Sequence, residues 1–221
     1  MKSTLQLLAL TIQIAGVLVL VYCAFVFVQA QAFQAYAKWV FDQALGNSQP
    51  AIQLYSESPV SLPRPGDRMV PEIDSLIGRI EIPRLQLSTM ILEGDGDRQL
   101  QMGAGHVSGT AFPGEAGNVV IAAHRDTFFR PLQRISKKDH IVLTTLGGTF
   151  QYIVESVQIT DPDNTAALRP SVEPTLTLVT CYPFTFVGSA PQRFIVRARK
   201  VGYEWQGIRS DPQVTEGRWP R

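Results

Sequence analysis

TLTLVTCYPFTFVGSAPQRFIVRARK, residues Thr175–Lys200, is the stretch that decides the fold. Apolar and β-branched side chains alternate up to Cys181, which is typical of a strand. Pro183 ends that strand shortly after the thiol, because proline cannot donate to a sheet ladder. A second strand-like run, Phe194–Val201, follows a loop and starts at Arg193. The stretch therefore predicts two strands, with a thiol where the first ends and a guanidinium where the second begins.

These two groups suit covalent chemistry. The chain has 2 cysteines, and Cys23 lies in a long apolar run, so the polar part carries Cys181 alone and forms no disulfide within itself. A free thiol has a pKa near ~8.5 and needs a histidine or another cation to react well at neutral pH. A guanidinium such as Arg193 can hold a substrate carbonyl or an oxyanion. The local pattern leaves open the alternative that Cys181 is a small buried hydrophobic residue.

The rest of the polar region indicates a β-barrel. From about Asp74 short alternating runs are broken by turns, in keeping with 15 prolines and 17 glycines in the chain. They predict strands at Leu76–Ile82, Leu87–Leu92, Val119–Ala123, His140–Thr145 and Phe150–Thr160, besides the two strands around Cys181. A short helix is expected at Asp97–Met102 and a glycine-rich loop at Gly103–Asn118. About eight short strands with few helices predict a mostly β, closed or nearly closed barrel.

The N-terminal region predicts a membrane anchor. No charged residue occurs from Ser3 to Ala37, and the apolar run Leu5–Val28 would span ~36 Å as a helix, enough to cross a bilayer core of ~30 Å. A cleaved signal peptide is the alternative, since Ala30–Ala32 resembles a cleavage site, but its apolar region would be only ~7–15 residues long. A retained anchor is therefore favoured. The weak positive charge at Lys2 places the N-terminus in the cytoplasm and the rest outside.

The expected domain order follows from these segments. We expect a cytoplasmic N-terminus at 1–4, a transmembrane anchor at 5–28, a juxtamembrane helix and proline-rich stalk at 29–74, a catalytic barrel at 75–203 and a loose polar tail at 204–221.

The formal net charge is +1 without basic runs, so nucleic-acid binding has no support. Asp161, Asp163 and Asn164 lack the glycine and glutamate of a calcium loop and are interpreted as turn residues. No metal site and no cofactor are expected.

Three histidines compete for the place beside Cys181. His124 ranks first, because it follows a compact apolar strand and functional groups favour loops at the ends of rigid strands. His106 lies in the glycine-rich loop, where a structural hydrogen bond explains it, and His140 is expected on the surface. Asp126 could orient His124, although its closeness in sequence favours a role in loop capping.

Arg193 is preferred among three arginines on one strand. It is nearest to the loop that joins this strand to Cys181. Arg197 and Arg199 are interpreted as a solvated outer face.

The motifs resemble one family. Thr177–Cys181 reads TLVTC, followed by Tyr182–Phe184 and by Arg193, and Asn118–Arg125 reads NVVIAAHR. Together, behind an N-terminal anchor, they resemble sortases, the membrane-anchored cysteine transpeptidases of bacterial surfaces. Two motifs look most like the class D branch of this family: HRDTFF at His124–Phe129 and CYPF at Cys181–Phe184. The resemblance implies an eight-stranded β-barrel.

The resemblance also implies roles and partners. Cys181 would be the nucleophile, His124 the general acid and base, Arg193 the group that stabilises substrate and oxyanion, and Thr180 a substrate-binding residue. Surface proteins with a C-terminal LPxTG-like sorting signal would be cleaved between Thr and Gly. The acyl group would pass to an amine of a cell-wall precursor or a pilin lysine. A cysteine peptidase that uses water, and a catalytically silent surface-binding domain, remain alternatives.

Overall fold

The computed structural model describes residues 2–47, 74–186 and 188–201, and within these residues eight strands form one closed barrel. The strands are β1 (Leu76–Ile82), β2 (Leu87–Glu93), β3 (Ala104–His106), β4 (Asn118–Ala122), β5 (His140–Thr145), β6 (Gly148–Thr160), β7 (Thr175–Tyr182) and β8 (Gln192–Lys200). The helices are α1 (Lys2–Asn47) and α2 (Asp97–Met102), with 3₁₀ turns at Pro83–Leu85, Arg130–Arg134 and Thr165–Leu168. The order around the barrel, β1-β2-β3-β4-β7-β8-β6-β5, confirms the predicted eight-stranded barrel.

Alternate residues of the strands fill the barrel interior. Leu176 and Leu178 of β7 are fully buried there, as are Val119 and Ile121 of β4. Burying each such side chain contributes about 1.5–3 kcal/mol. Because successive side chains of a strand point to opposite faces, Cys181 lies on the outer face of β7. The apolar core therefore occupies the interior, and Cys181 and its partner Arg193 lie on the outer face of β7 and β8.

Strand β3 is the element that the sequence did not predict. It lies inside the region expected to be a glycine-rich loop, and it pairs in parallel with β2 and antiparallel with β4. A Cβ on Gly105 would lie 2.3 Å from the carbonyl oxygen of Gly94, so this close approach requires glycine. A three-residue strand with a central glycine has no hydrophobic alternation to detect. Of the other predicted strands, Leu76–Ile82 and His140–Thr145 have the predicted bounds, and the rest differ by one or two residues at their ends.

Helix α1 is continuous, and its C-terminal part packs against the barrel. Ala37 and Phe41 are buried in one cluster with Met90 of β2. The Gln34 side chain donates to the carbonyl of Met102 at 2.6 Å and accepts from the backbone N–H of Met90 at 2.9 Å. The sequence predicted a juxtamembrane helix at the start of residues 29–74 but not that it docks on the barrel.

The N-terminal part of α1 is apolar and exposed. Gln6–Gly46 is long and apolar enough to cross a membrane by length and composition, which agrees with the anchor expected at Leu5–Val28. The predicted proline-rich stalk and the predicted C-terminal tail lie outside the described residues.

A group of charged and polar side chains fixes the turn after β1 against the start of β5. The Arg84 guanidinium donates two hydrogen bonds to Asp139 and one to the carbonyl of Arg134. The N–H of Ser136 donates to the same carboxylate at 2.8 Å. The hydrogen bond from Arg84 is the main reason that the pKa of the Asp139 carboxyl lies below its ordinary value of 3.8, against burial, which raises it.

We predict that Asp139→Asn lowers the free energy of unfolding at neutral pH. A carboxyl whose pKa is lowered by folding stabilises the fold above its unfolded pKa of 3.8, and this stabilisation is lost as pH falls through the lower folded value. Urea denaturation of both proteins over a pH series should show a difference that is full near pH 7 and shrinks in acid. A difference that stays constant with pH would contradict this account.

Candidate active site

The thiol and the guanidinium of the first stretch face each other across two strands. β7 and β8 are antiparallel, and Cys181 and Arg193 are direct partners in their register. The side chains of such a pair lie on one face, with Cβ atoms about 4.5–5.5 Å apart. Both residues are half-buried, so Cys181 is not sealed in the core. In this structure the Arg193 guanidinium donates to the carbonyls of Gln192 at 3.2 Å and Ala190 at 3.4 Å.

The imidazole reaches the same edge through a parallel strand pair. β4 runs parallel to β7 with Ala122 opposite Val179, and the N–H of Ala123 donates to the carbonyl of Val179 at 3.2 Å. His124 and Cys181 each lie two residues beyond the Ala122–Val179 pair. Neighbouring strands are about 4.8 Å apart. His124 and Cys181 thus follow the same paired position of two neighbouring parallel strands, and their action as one site stays a prediction.

Thr180 joins the two strands just before these groups. Its side chain is buried, and its hydroxyl donates to the carbonyl of Ala123 at 2.7 Å. That bond fixes the backbone on which His124 and Cys181 stand. The substrate-binding role expected for Thr180 stays a prediction, and in this structure its contact is with the protein backbone.

The His124 imidazole has no hydrogen-bonding partner among the described residues, although its backbone is fixed. The carbonyl of His124 accepts a hydrogen bond from the N–H of Phe129 at 3.1 Å, and Phe129 is fully buried. Asp126 is exposed and, within the part of the chain that the structure describes, makes no hydrogen bond to His124. The loop after β4 therefore sets the place of His124 without a carboxylate that orients the ring.

A cleft of about 940 Å³ lies between α1 and the barrel and reaches His124. Its wall on the helix includes Tyr22, Cys23 and Phe27, and its wall on the barrel includes Phe128. The cleft connects the neighbourhood of the imidazole with the apolar part of α1.

Arg125 makes contacts that the sequence analysis did not foresee. Its guanidinium donates to the carbonyls of Pro183 at 3.0 Å, Phe186 at 2.8 Å and Gly188 at 2.9 Å. It also lies 5.8 Å from the centroid of the Phe186 ring. An arginine directly after a histidine at a strand end was the available signal, but its partners are about 60 residues away and no local pattern reports them.

The remaining candidates lie away from the thiol or on the surface. Arg199 is exposed and pairs with Glu155 at 3.2 Å, as predicted for an outer face, whereas Arg197 is half-buried and borders a small cavity beside the 3₁₀ turn at Thr165–Leu168. Asn164 accepts a hydrogen bond from the N–H of Ala166 at 3.1 Å and so caps that turn. This contact fits the interpretation of Asn164 as a turn residue.

His106 is buried in a network of its own. Its Nδ1 lies 2.7 Å from a carboxylate oxygen of Glu93, and its Nε2 lies 2.9 Å from the carbonyl oxygen of Ala111. The ring stacks on Phe112 with centroids 4.6 Å apart. His140 is exposed at the start of β5. Both placements agree with the sequence analysis, which assigned His106 a structural role and His140 to the surface.

A closed eight-stranded barrel whose half-buried thiol is paired with an arginine, with a histidine just beyond the adjacent parallel strand, is typical of β-barrel enzymes that use a cysteine. The family model of the sortase domain matches residues 80–201, more than half of the chain. The chain therefore belongs to the sortase family, whose members are cysteine transpeptidases.

Individual relatives agree with this assignment. The chain is 36% identical over 132 residues to sortase D of Bacillus subtilis, covering 59% of this chain and 67% of that protein. It is 27% identical over 112 residues to sortase A of Listeria monocytogenes, covering 49% of this chain and 50% of that protein. A Clostridium perfringens sortase D5 transpeptidase superposes with a TM-score of 0.55 at 34% identity, over 59% of this chain and 82% of that one. Class D sortases are thus among its relatives, as the motifs indicated.

We predict that His106→Gln lowers the free energy of unfolding by about 1–3 kcal/mol, because it leaves buried partners unsatisfied. The alkylation rate of Cys181 should stay unchanged, since no described contact links the two residues. His140→Gln is the matched control and should change neither quantity. Thermal unfolding and alkylation kinetics test this, and a large fall in Cys181 reactivity without loss of stability would contradict the structural role of His106.

Proposed function

We propose that this chain is a membrane-anchored sortase that cleaves an LPxTG-like sorting signal between Thr and Gly and transfers the acyl group to an amine. The observation that carries the proposal is the register that pairs Cys181 with Arg193 and Ala122 with Val179, two residues before Cys181 on β7 and two residues before His124 on the chain. The proposal brings three chemically different groups from distant segments together on one face of the barrel. This is the arrangement that nucleophilic catalysis with acid–base assistance requires.

In the acylation step Cys181 is the nucleophile. Its proton passes to His124, and the thiolate sulfur attacks the carbonyl carbon of the substrate threonine. Arg193 donates hydrogen bonds to the oxygen that becomes negative, and such donors stabilise the transition state more than the ground state. As the carbon–nitrogen bond breaks, His124 returns its proton to the departing glycine amine. A thioacyl enzyme remains.

In the second step an amine resolves the thioester. The amine nitrogen attacks the thioacyl carbon, His124 takes its proton, and the carbon–sulfur bond breaks to restore Cys181. The proposed acceptors are an amine of a cell-wall precursor or a pilin lysine. Because Cys181 is half-buried rather than enclosed, water also has a route to the thioester, so hydrolysis competes with transfer.

The position of α1 supports action at a membrane surface. We propose that the apolar part of α1 is a single-pass anchor, with the N-terminus in the cytoplasm and the barrel outside. The cleft beside His124 has residues of this helix as one wall. A barrel held against its own anchor meets membrane-tethered substrates at a raised effective concentration.

The central prediction concerns the products. Purified enzyme incubated with an LPxTG-like peptide and an amine should give a thioacyl adduct on Cys181 and then an amide to the added amine, both measured by mass spectrometry. Cys181→Ala should give neither. Products formed only by water would favour the peptidase. A folded protein that yields no adduct with a peptide library would favour the silent binding domain.

The assigned roles predict graded losses of activity. His124→Gln should lower kcat/KM by about 10²–10⁴, the range for a general acid and base. Arg193→Gln should lower it by about 10²–10³, the range for one oxyanion donor. Arg199→Gln changes an exposed residue of the same strand and serves as the control. Equal losses in Arg193→Gln and Arg199→Gln would contradict the role given to Arg193.

The proposed topology can be tested with the two cysteines. In a Cys23→Ser variant Cys181 is the only thiol of the chain. A membrane-impermeant maleimide should label this variant in intact cells, because the barrel is proposed to lie outside. Labelling that requires cell lysis would contradict the orientation. A Cys23→Ser, Cys181→Ala double variant gives the background.

A further inference from the structure

Arg125 connects the loop that carries His124 with the loop that follows Cys181. The three carbonyls that accept from its guanidinium all belong to residues 183–191, which join β7 to β8. Arg125 is half-buried, and its guanidinium lies over the Phe186 ring as well. One side chain therefore binds this loop at Pro183, Phe186 and Gly188.

The β7–β8 loop has few other hydrogen bonds. Among its described residues, one backbone bond spans the loop interior, from the N–H of Phe186 to the carbonyl of Pro183 at 3.4 Å. Arg193 donates to the carbonyl of Ala190, also at 3.4 Å. The bonds from Arg125, at 2.8–3.0 Å, are shorter and come from a charged donor. They are thus the main polar contacts that hold the loop in this conformation.

The same loop separates two residues of the proposed active site. It begins after Cys181 and Tyr182 and ends at Gln192 and Arg193. Its two ends are fixed by the β7–β8 ladder, whereas its middle is held by Arg125. Arg125 is also bonded covalently to His124, whose imidazole has no described hydrogen bond. A shift of the loop is therefore transmitted to the residue next to the imidazole.

We propose that Arg125 is a positioning residue that couples the orientation of His124 to the conformation of the β7–β8 loop. This inference rests on the proposed function and deepens it. The planar guanidinium binds several carbonyls at once, which a lysine ammonium cannot reproduce with the same geometry. When the loop is held, the imidazole is kept at the edge where Cys181 and Arg193 lie. When the hydrogen bonds from Arg125 to the loop are absent, the imidazole and the loop move independently, and proton transfer is misaligned.

The test compares Arg125→Lys and Arg125→Gln with Arg84→Gln. Arg84 is a matched control, since its guanidinium also donates to a backbone carbonyl, that of Arg134, and to the side chain of Asp139. These contacts lie on a part of the barrel outside the site. Both Arg125 variants should lower kcat/KM for acylation by about 10–100-fold, mainly through kcat, because small misplacements of a catalytic group have effects of this size. Arg84→Gln should lower the melting temperature and leave kcat/KM unchanged.

Hydrogen exchange gives a readout that does not depend on the substrate. Amides of residues 184–190 should exchange faster in both Arg125 variants than in wild type or Arg84→Gln. Faster exchange with wild-type kcat/KM would overturn the coupling between the loop and His124. Unchanged exchange would overturn the claim that Arg125 holds the loop. Arg125→Lys keeps the charge and the approximate length of the side chain, so both measurements can be made on it if Arg125→Gln does not fold. If wild type forms no thioacyl adduct, the proposed function fails, while the exchange comparison still decides whether Arg125 holds the loop.

Discussion

The parallel pairing of β4 with β7 is the contact on which the rest of the site depends. Parallel strands need a long crossover, and here the crossover contains β5 and β6, which close the opposite side of the barrel. The ends of β4 and β7, which precede His124 and carry Cys181, therefore come together only when most of the domain has folded. β8 then adds Arg193 through an antiparallel pair, whose register is fixed by the same strand that carries Cys181.

A buried asparagine fixes the register of this parallel pair. The Asn118 side chain accepts hydrogen bonds from the hydroxyls of Thr177 at 2.7 Å and Thr175 at 3.2 Å. It also donates to the carbonyls of Ala167 at 2.9 Å and Arg169 at 3.2 Å. A slip of one residue would leave these buried groups unsatisfied, which is costly. At the other end of the strands, the Thr180 hydroxyl donates to the carbonyl of Ala123, the residue that follows β4.

The sequence predicted those features that a local pattern reports, namely the alternation of apolar and polar side chains and the residues at strand ends. Seven strands and the short helix rested on such patterns. The choice of His124 over His106 rested on a strand end, and the choice of Cys181 on its being the single thiol of the polar region; both stay predictions of function. The β3 strand was missed because Gly105 is selected by a backbone approach and not by a hydrophobic pattern. The docking of α1 through Gln34 was missed for another reason: a glutamine in a helix gives no sign that its amide binds a distant backbone.

The contacts of Arg125 show why a site of this kind is only partly determined by its strands. Ladder hydrogen bonds fix the Cα positions of Cys181 and Arg193, but they do not orient a side chain that follows the end of a strand. His124 is such a side chain, and it has no carboxylate partner among the described residues. Its surroundings are instead set by the loop after β4, the wall of α1 and the loop that Arg125 binds. Under the proposed roles, the position of the nucleophile is therefore fixed by strand pairing, whereas the position of the acid–base group depends on contacts of two loops and a helix.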